Sequence, residues 1–206
     1  MSAMTANAKD TADADLLLAS ASQRRKELLE QIGYRVSVAA AEFDEQSIRS
    51  EDPVELVQRL SAAKLQVVLQ RLAAIDDERV TLPAIGADTV VLCRGAILEK
   101  PEDEREARSM LELLSATTHQ VITGVAVQLP DRTPNRPTVA YAETHVTFAP
   151  LSDAEIEWYL ATQEWEGVAG GYRIQDSAAR FITGIIGSYS NVVGLPLHLV
   201  YSILSF

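Results

Sequence analysis

The loop of residues 20–25 combines residue types that bind phosphate. It reads Ser-Ala-Ser-Gln-Arg-Arg and lies between a short apolar run and a helical pattern. Backbone N–H groups at a helix N-terminus attract phosphate through the helix dipole, and guanidinium groups bind it through paired hydrogen bonds. The loop is therefore predicted to be a phosphate site. The alternative is a serine that caps the helix, followed by two arginines in solvent.

Asp88 is an acidic residue inside an otherwise apolar strand pattern, in the sequence Gly86-Ala87-Asp88-Thr89. Burial of a carboxylate costs several kcal/mol unless the group is paired, hydrated or bound to metal. A carboxylate in such a place is more often functional than structural. The structural alternative is an aspartate that accepts backbone N–H bonds at a β-bulge beside Gly86.

Carboxylates and lysines in three other segments are further candidates. Asp44 and Glu45 follow the second predicted strand, Lys64 lies in a long predicted helix, and Lys100 follows a predicted hairpin. Together with Asp88, the carboxylates can hold Mg²⁺ through oxygen ligands and water, and the lysines can neutralise phosphate oxygens. The alternative is solvated surface charge, which is the common state of single charged residues.

Gln175 is the candidate for recognition of a base. It lies in a glycine-containing segment, residues 169–176, whose glycines permit close approach of the backbone to a ligand. The glutamine amide offers both a donor and an acceptor, which suits the edge of a nucleobase. The alternative is an ordinary turn with an exposed glutamine.

Hydrophobic patterns predict the elements that position these residues. The predicted strands are residues 16–19, 34–39, 83–92, 96–98, 120–129 and 138–148. The predicted helices are residues 24–32, a long helix from Pro53, residues 104–114 and 152–160, and a last helix from Pro196. Residues 167–187 are predicted to be irregular. Strands that alternate with helices indicate an α/β fold, with a mixed sheet layered by helices.

Composition limits the class of protein. The chain has 206 residues, of which 47% are hydrophobic and 23% are charged, and this composition suits one domain. The domain is predicted as residues 15–206, and residues 1–14 are predicted to be a disordered leader. The net charge of -11 disfavours nucleic acid as a partner, because such binding needs many basic residues. No apolar run reaches the length of a membrane span. One cysteine, Cys93, and no zinc-site spacing favour the cytosol.

Seven separated motifs resemble those of the Maf family, in the same order and from about residue 16 to the C-terminus. They are residues 18–29, 43–45, Lys64, 86–89, 99–101, 114–115 and 193–196. The resemblance implies a mixed twisted β-sheet flanked by helices, in the two-lobed architecture with a central cleft that Maf proteins share with inosine triphosphatases (Ham1). It also implies a nucleoside triphosphate pyrophosphatase that acts in nucleotide house-cleaning.

The resemblance further implies a role for each matching residue. Asp88 is expected to be the proton acceptor for the attacking water, and a divalent cation, Mg²⁺ or Mn²⁺, is expected near Glu45 and Asp88. Phosphate contacts are expected from Ser20, Arg25, Lys64 and Lys100. Substrate specificity is expected from Arg24, Thr89 and Gln175, which resemble the branch that acts on dTTP and UTP. A homodimer is the implied assembly.

Departures from the family pattern affect the base preference more than the chemistry. Gln23 stands in place of a usual proline, Val168 in place of a common lysine, and Arg173 and Asp176 in place of glycines. Two other functions remain open. The same fold can act on 7-methyl-GTP or other modified nucleotides, or the chain can be a nucleotide-binding regulator of septum formation.

Overall fold

The structure is a computed structural model that describes residues 13–43, 45–48, 50, 52–130 and 136–205. Most of the predicted leader, Asp44 and part of the loop between the two long β segments lie outside these residues. Within the described part of the chain, no helix is both long enough and apolar enough to cross a bilayer.

Seven strands form one mixed sheet with the order β2-β1-β3-β5-β6-β7, and β4 pairs with β3 outside this order. β1 is parallel to β2 and β3, whereas β3, β5, β6 and β7 pair antiparallel in turn. The strands are β1 Leu16–Leu18, β2 Val36–Val38, β3 Ala84–Cys93, β4 Ala96–Leu98, β5 Thr118–Gln128, β6 Thr138–Phe148 and β7 Ile182–Ile186.

Helices cover both faces of the sheet. α2 packs through Leu65 and Val68 on one face, and the other helices pack into the larger core on the opposite face. The helices are α1 Gln23–Gln31, α2 Pro53–Ala73, α3 Glu104–Leu114, α4 Asp153–Leu160, α5 Tyr189–Val193 and α6 Leu197–Leu204. The predicted α/β fold with a mixed sheet flanked by helices is therefore confirmed.

Two glycines allow α2 to lie directly on the sheet. A Cβ atom at Gly86 of β3 would collide with the carbonyl oxygen of Ser61, and one at Gly124 of β5 would collide with that of Val57. The helix backbone thus approaches the strands more closely than any larger residue permits. This contact sets the position of Lys64, which lies on α2 one residue before Leu65.

One flank of β3 has a gap between two partner strands. β1 pairs with Ala84 and Ile85, and β4 pairs with residues 91–93. Among the described residues, no strand pairs with residues 86–90 on that flank, and we call this stretch the β3 gap. It places Asp88 beside the loop that follows β1.

One expectation from the sequence is wrong, because residues 182–186 form the edge strand β7 inside the segment predicted to be irregular. The structural alternative for Asp88, a bulge beside Gly86, is excluded within the described structure, because β3 and β5 keep a continuous register through Gly86↔Ala126 and Asp88↔Gly124. Asp88 is therefore a regular strand residue. A bulge in the backbone cannot explain why a carboxylate is buried at this position.

Candidate active site

A cavity of about 380 Å³ lies between the loop of residues 20–25, the β3 gap and the segment of residues 167–175. Nine of the residues predicted for the site line this cavity, and the candidate Asp44 lies outside the described residues. The nine are Ser20, Arg24, Arg25, Glu45, Lys64, Asp88, Thr89, Lys100 and Gln175. The fold therefore brings together in one cleft residues that are spread over most of the chain.

Lys64 bridges the two candidate carboxylates. Its Nζ lies 2.5 Å from Oδ1 of Asp88 and 3.1 Å from Oε2 of Glu45. Lys64 and Asp88 are only 7% and 6% exposed, so each charge needs the other as compensation. Among the described residues, no group donates a hydrogen bond to Oδ2 of Asp88. One carboxylate oxygen is thus held by the ammonium group, and the other is available to accept a proton.

Glu45 is held in its ionised form by the cations around it. Burial alone would raise its pKa, but the charges of Lys64 and Lys100 and the hydrogen bond from Lys64 outweigh burial. The pKa of Glu45 therefore lies below its ordinary value. At neutral pH this side chain is a carboxylate, which is the form that a cation requires.

Arg25 braces the phosphate loop against the rest of the molecule. Its Nε donates to the carbonyl oxygen of Gly194 at 2.8 Å, Nη1 to Ser20 Oγ at 3.1 Å and Nη2 to Thr89 Oγ1 at 3.0 Å. Burial lowers the pKa of Arg25, although Asp88 and Glu45 oppose this effect. A guanidinium group has five N–H donors, so Arg25 keeps donors for a ligand.

The phosphate loop ends in a regular helix start. Ser22 caps α1 and accepts a hydrogen bond from the backbone N–H of Arg25 at 3.5 Å. Ser20 Oγ accepts a second backbone N–H bond, from Ser22, at 3.2 Å. The first helical turn lines the cavity, and a helix N-terminus is an arrangement that binds anions. The serine cap of the alternative interpretation is present, but the two arginines line the cavity and are partly buried. The phosphate site stays a prediction.

A buried polar network behind Thr89 was not predicted from the sequence. Thr89 Oγ1 contacts Thr123 Oγ1 at 3.0 Å, and Thr123 donates to the carbonyl oxygen of Asn191 at 3.2 Å. The Asn191 amide in turn donates to Thr144 Oγ1 and to the carbonyl oxygen of Val121, both at 3.0 Å. The network fixes the Thr89 hydroxyl, and through it the Arg25 guanidinium.

The segment of residues 167–175 is anchored to the sheet by its backbone and by Tyr172. Gly170 N–H donates to the carbonyl oxygen of Glu99 at 3.0 Å, and a Cβ atom at Gly170 would lie 2.8 Å from Val91 Cγ2. The Tyr172 hydroxyl pairs with Nε2 of the buried His119 at 2.8 Å. Burial lowers the pKa of His119 to about 4, so its ring is neutral at pH 7. Gln175, which follows, is exposed in the cavity wall.

A second cavity of about 580 Å³ adjoins the first and shares Glu45, Asp88, Thr89 and Lys100 as wall residues. Glu99 and Glu102 line its far side. The shared residues therefore form a partition between two spaces, and Asp88 is accessible from both.

The two carboxylates fit a divalent cation that also binds a phosphate chain. Among the described residues, no cluster of three or more His, Cys, Asp or Glu side chains can hold a metal ion. Mg²⁺ usually needs only one or two carboxylates, because substrate phosphates and water complete its shell. The convergence of Glu45 and Asp88 on the single Nζ of Lys64 meets this requirement for two ligands in one place.

Comparisons with known proteins identify the family to which the chain is similar. The family described as "Maf: Maf-like protein" matches residues 15–205. A "dTTP/UTP pyrophosphatase" of Symbiobacterium thermophilum is 46% identical over 183 residues, which cover 89% of this chain and 89% of the relative. A "dTTP/UTP pyrophosphatase" of a Chelativorans species is 42% identical over 196 residues, covering 95% of this chain and 92% of the relative. The solved Ham1 protein of Staphylococcus aureus matches with a TM-score of 0.49 and 13% identity, over 92% of this chain and 97% of that chain.

Proposed function

The chain belongs to the Maf family, and from this premise we propose that it is a nucleoside triphosphate pyrophosphatase that hydrolyses dTTP and UTP to the monophosphate and pyrophosphate. The observation that carries the proposal is the state of Asp88. It is a buried strand carboxylate with one oxygen held by Lys64, and its other oxygen is free of donors from the described residues.

In this mechanism Asp88 acts on the water that attacks the α-phosphorus. Oδ2 accepts a proton from the water as its oxygen bonds to phosphorus, and the bond from phosphorus to the α,β-bridging oxygen breaks. Pyrophosphate leaves with the electron pair of that bond. Proton acceptance by a positioned side chain contributes about 10²- to 10⁴-fold to such rates.

Cationic side chains hold the phosphate chain in place for this attack. The N–H groups at the start of α1, the free donors of Arg25 and the ammonium groups of Lys64 and Lys100 neutralise the phosphate oxygens. A divalent cation held by Glu45 and Asp88 would supply further charge neutralisation when bound. Positioning and charge neutralisation account for most of the catalysis in phosphoryl-type reactions.

The three residues proposed for specificity do not act in the same way. Arg24 and Gln175 line the cavity where the nucleoside is expected, and the Gln175 amide also donates to Oδ2 of Asp176 at 3.2 Å. The Thr89 hydroxyl is already bonded to Arg25 and Thr123, so it acts by positioning Arg25. The homodimer implied by the resemblance and the cytoplasmic location favoured by the cysteine content stay predictions.

The test is a substrate panel in which released pyrophosphate is measured. The panel contains dTTP, UTP, CTP, 7-methyl-GTP and ITP, each with Mg²⁺ and with Mn²⁺. We expect dTTP and UTP to be the best substrates, and Asp88→Asn to lower kcat at least about 100-fold with a smaller effect on binding. Glu112→Gln, which removes an exposed carboxylate from α3, is the control.

Other results would select another function. Near-normal turnover by Asp88→Asn would show that a different group accepts the proton. Preferred turnover of 7-methyl-GTP would change the substrate class, and binding of UTP without metal-dependent turnover would favour the regulatory role.

A further inference from the structure

Two arginine side chains, Arg24 and Arg173, line the first cavity. Burial lowers the pKa of Arg24, and the charges of Arg173 and Arg25 lower it further, whereas those of Asp176 and Glu27 oppose this effect. Like charges at short range destabilise a fold unless an acceptor group separates them. Among the described residues, no hydrogen bond or ion pair holds the Arg24 guanidinium, so a ligand in the cavity can supply its acceptor.

Arg173 combines a fixed backbone with a weakly held side chain. Its backbone N–H donates to the Tyr159 hydroxyl at 3.1 Å, and the preceding Tyr172 is locked to His119. The guanidinium itself makes one hydrogen bond, from Nη2 to the carbonyl oxygen of Glu166 at 3.1 Å. Nη1 is 3.9 Å from Asp176, and the buried Nε has no partner in the described structure.

These two arginines line only the first cavity, whereas Glu45, Asp88 and Lys100 line both cavities. The charges that shift the pKa of Glu45 come from Lys64, Lys100 and Arg25, whereas those that shift the pKa of Arg24 come from Arg173, Arg25, Asp176 and Glu27. Arg25 is the neighbour that both groups share. With the α-phosphate at Asp88 and the phosphates at the lysines, the end formed by Arg24, Arg173 and Gln175 receives the nucleoside.

The side chains of Arg24, Arg173 and Gln175 at this end of the cavity mainly donate hydrogen bonds. A guanidinium group only donates hydrogen bonds, and Gln175 can donate as well. Uracil and thymine present carbonyl oxygens at positions 2 and 4, whereas cytosine presents an amino group at position 4. A guanidinium group can donate to the oxygen at position 4 of uracil or thymine but not to the amino group of cytosine, whose acceptors are O2 and N3. A guanidinium group that contacts position 4 therefore favours uracil and thymine over cytosine.

We propose that Arg173 joins Arg24 in donating hydrogen bonds to the carbonyl oxygens of a uracil or thymine base and thereby selects against cytosine. This assignment rests on the proposed function, and it adds to the site a specificity-determining residue whose position the Maf resemblance did not mark as functional. Because the contact is made to the base and not to the reacting phosphorus, its loss changes KM more than kcat.

The experiment compares kcat/KM for UTP and CTP in the wild type, Arg173→Ala and Arg173→Gln. Glutamine keeps a donor for the Glu166 carbonyl oxygen, which protects the fold, and unfolding temperatures verify that each variant is folded. We expect the ratio of UTP to CTP to fall about tenfold or more in Arg173→Ala, mainly through a higher KM for UTP. Arg105→Ala, which removes an exposed arginine from α3, should leave the ratio unchanged.

An unchanged ratio in both Arg173 variants would overturn the inference. An equal loss for UTP and CTP would also overturn it, because that result places Arg173 on the phosphates that both nucleotides share. If the wild type released no pyrophosphate from any nucleotide, the proposed function would fail, and calorimetric binding of UMP and CMP would still decide the inference. A preference for UMP that disappears in Arg173→Ala supports it, and a preference that is absent or that persists in the variant overturns it.

Discussion

At the scale of single residues, Lys64 controls the charge of the reaction centre. Its ammonium group lies between Asp88 and Glu45, so in the free protein it neutralises the carboxylates that a divalent cation would use. Arrival of a phosphate chain gives this ammonium group alternative acceptors. Lys64 is therefore well placed to exchange its carboxylate partners for phosphate oxygens when substrate enters.

Replacement of Lys64 with methionine tests this arrangement. Without the ammonium group the two carboxylates repel each other, and a divalent cation becomes their best partner. We expect Mg²⁺ without nucleotide to stabilise Lys64→Met by on the order of 1–3 kcal/mol more than it stabilises the wild type, measured as a shift in thermal unfolding. Lys26→Met on the surface of α1 should respond to Mg²⁺ as the wild type does. An equal response in all three proteins would contradict the bridging role of Lys64.

His119 gives the fold a dependence on pH. The unfolded chain binds a proton at this residue near pH 6.5, whereas burial delays protonation in the folded chain to about pH 4. The unfolded state thus binds more protons in this window, and stability present above pH 6.5 is lost as the pH falls towards 4. The loss from this group amounts to about 3 kcal/mol at about 1.4 kcal/mol per pKa unit.

Denaturant unfolding between pH 4 and pH 7 would measure this effect. We expect His119→Gln to be less stable at neutral pH but to lose less stability on acidification than the wild type. His145→Gln, which removes a half-exposed histidine from β6, should keep the slope of the wild type. If His119→Gln kept that slope too, the pH dependence would belong to other groups.

At the scale of elements, the contact of α2 with the sheet determines the geometry of the site. Gly86 and Asp88 are two residues apart on β3, and Lys64 is flanked on α2 by residues that touch Gly86. Any side chain at Gly86 or Gly124 would lift the helix from the strands. Lifting α2 would move Lys64 away from Asp88, so the two glycines support the ion pair as well as the packing.

Alanine substitutions at these glycines measure the importance of the contact. Overpacking of this kind destabilises by about 1–3 kcal/mol, and we expect this loss for Gly86→Ala and Gly124→Ala in denaturant unfolding. Gly86→Ala should also reduce kcat, because Asp88 would lose its partner. Gly184→Ala is the matched control, since the nearest atom to its new Cβ would be 3.9 Å away. Equal stability of all three variants would mean that α2 adjusts without strain.

Glu45, Lys64 and Lys100 are ordinary charged residues in their local sequence, and only the resemblance to the Maf motifs indicates them. Other members of the site could be predicted from the residues alone, because they are locally unusual. Asp88 interrupts an apolar strand, and the two arginines follow a serine at a helix start. Their partners could not be predicted, because they come from distant parts of the chain. Arg25 bonds to Gly194, which is 169 residues away, and no local pattern contains that contact.

The prediction of secondary structure is wrong where pairing with a distant strand, and not the local sequence pattern, determines the conformation. β7 contains Gly184 and has exposed Ile185 and Ile186, so it shows no regular alternation of buried and exposed residues. Its strand geometry comes from pairing with β6, which supplies the hydrogen bonds. The polar network of Thr123, Thr144 and Asn191 could not be predicted for a similar reason. A threonine in a strand pattern does not indicate which distant residue accepts its hydrogen bond.

At the scale of the whole molecule, the charge that lines the first cavity is opposite in sign to the net charge of the chain. The chain carries a net charge of -11, yet five cationic side chains and only two carboxylates line the first cavity. A triphosphate is therefore repelled at long range and attracted at short range. Salt screens charges over about 30 Å at 0.01 M and about 10 Å at 0.1 M, so it removes the long-range repulsion first.

We expect kcat/KM for UTP to increase severalfold when the ionic strength rises from about 0.01 M to about 0.1 M, and to decline at higher salt. The reason is that moderate salt suppresses repulsion from the protein surface while attraction inside the cavity persists. kcat, which does not include the encounter, should change little and serves as the internal control. A steady fall of kcat/KM from the lowest salt upward would show that the local cations dominate at every distance.

The β3 gap leaves two amides of a central strand without a strand partner among the described residues. Successive strand residues direct their N–H groups to opposite sides, and the carbonyl oxygen of Ile85 accepts the N–H of Ala19 on the side of the gap. Ala87 and Thr89 direct their N–H groups to that same side, whereas Asp88 and Val90 direct theirs to β5. In deuterated water a central strand of the sheet would thus contain two rapidly exchanging protons, one on each side of Asp88. A nucleotide that fills the gap would slow this exchange, so isotope uptake at these two positions would report occupancy of the site without any turnover.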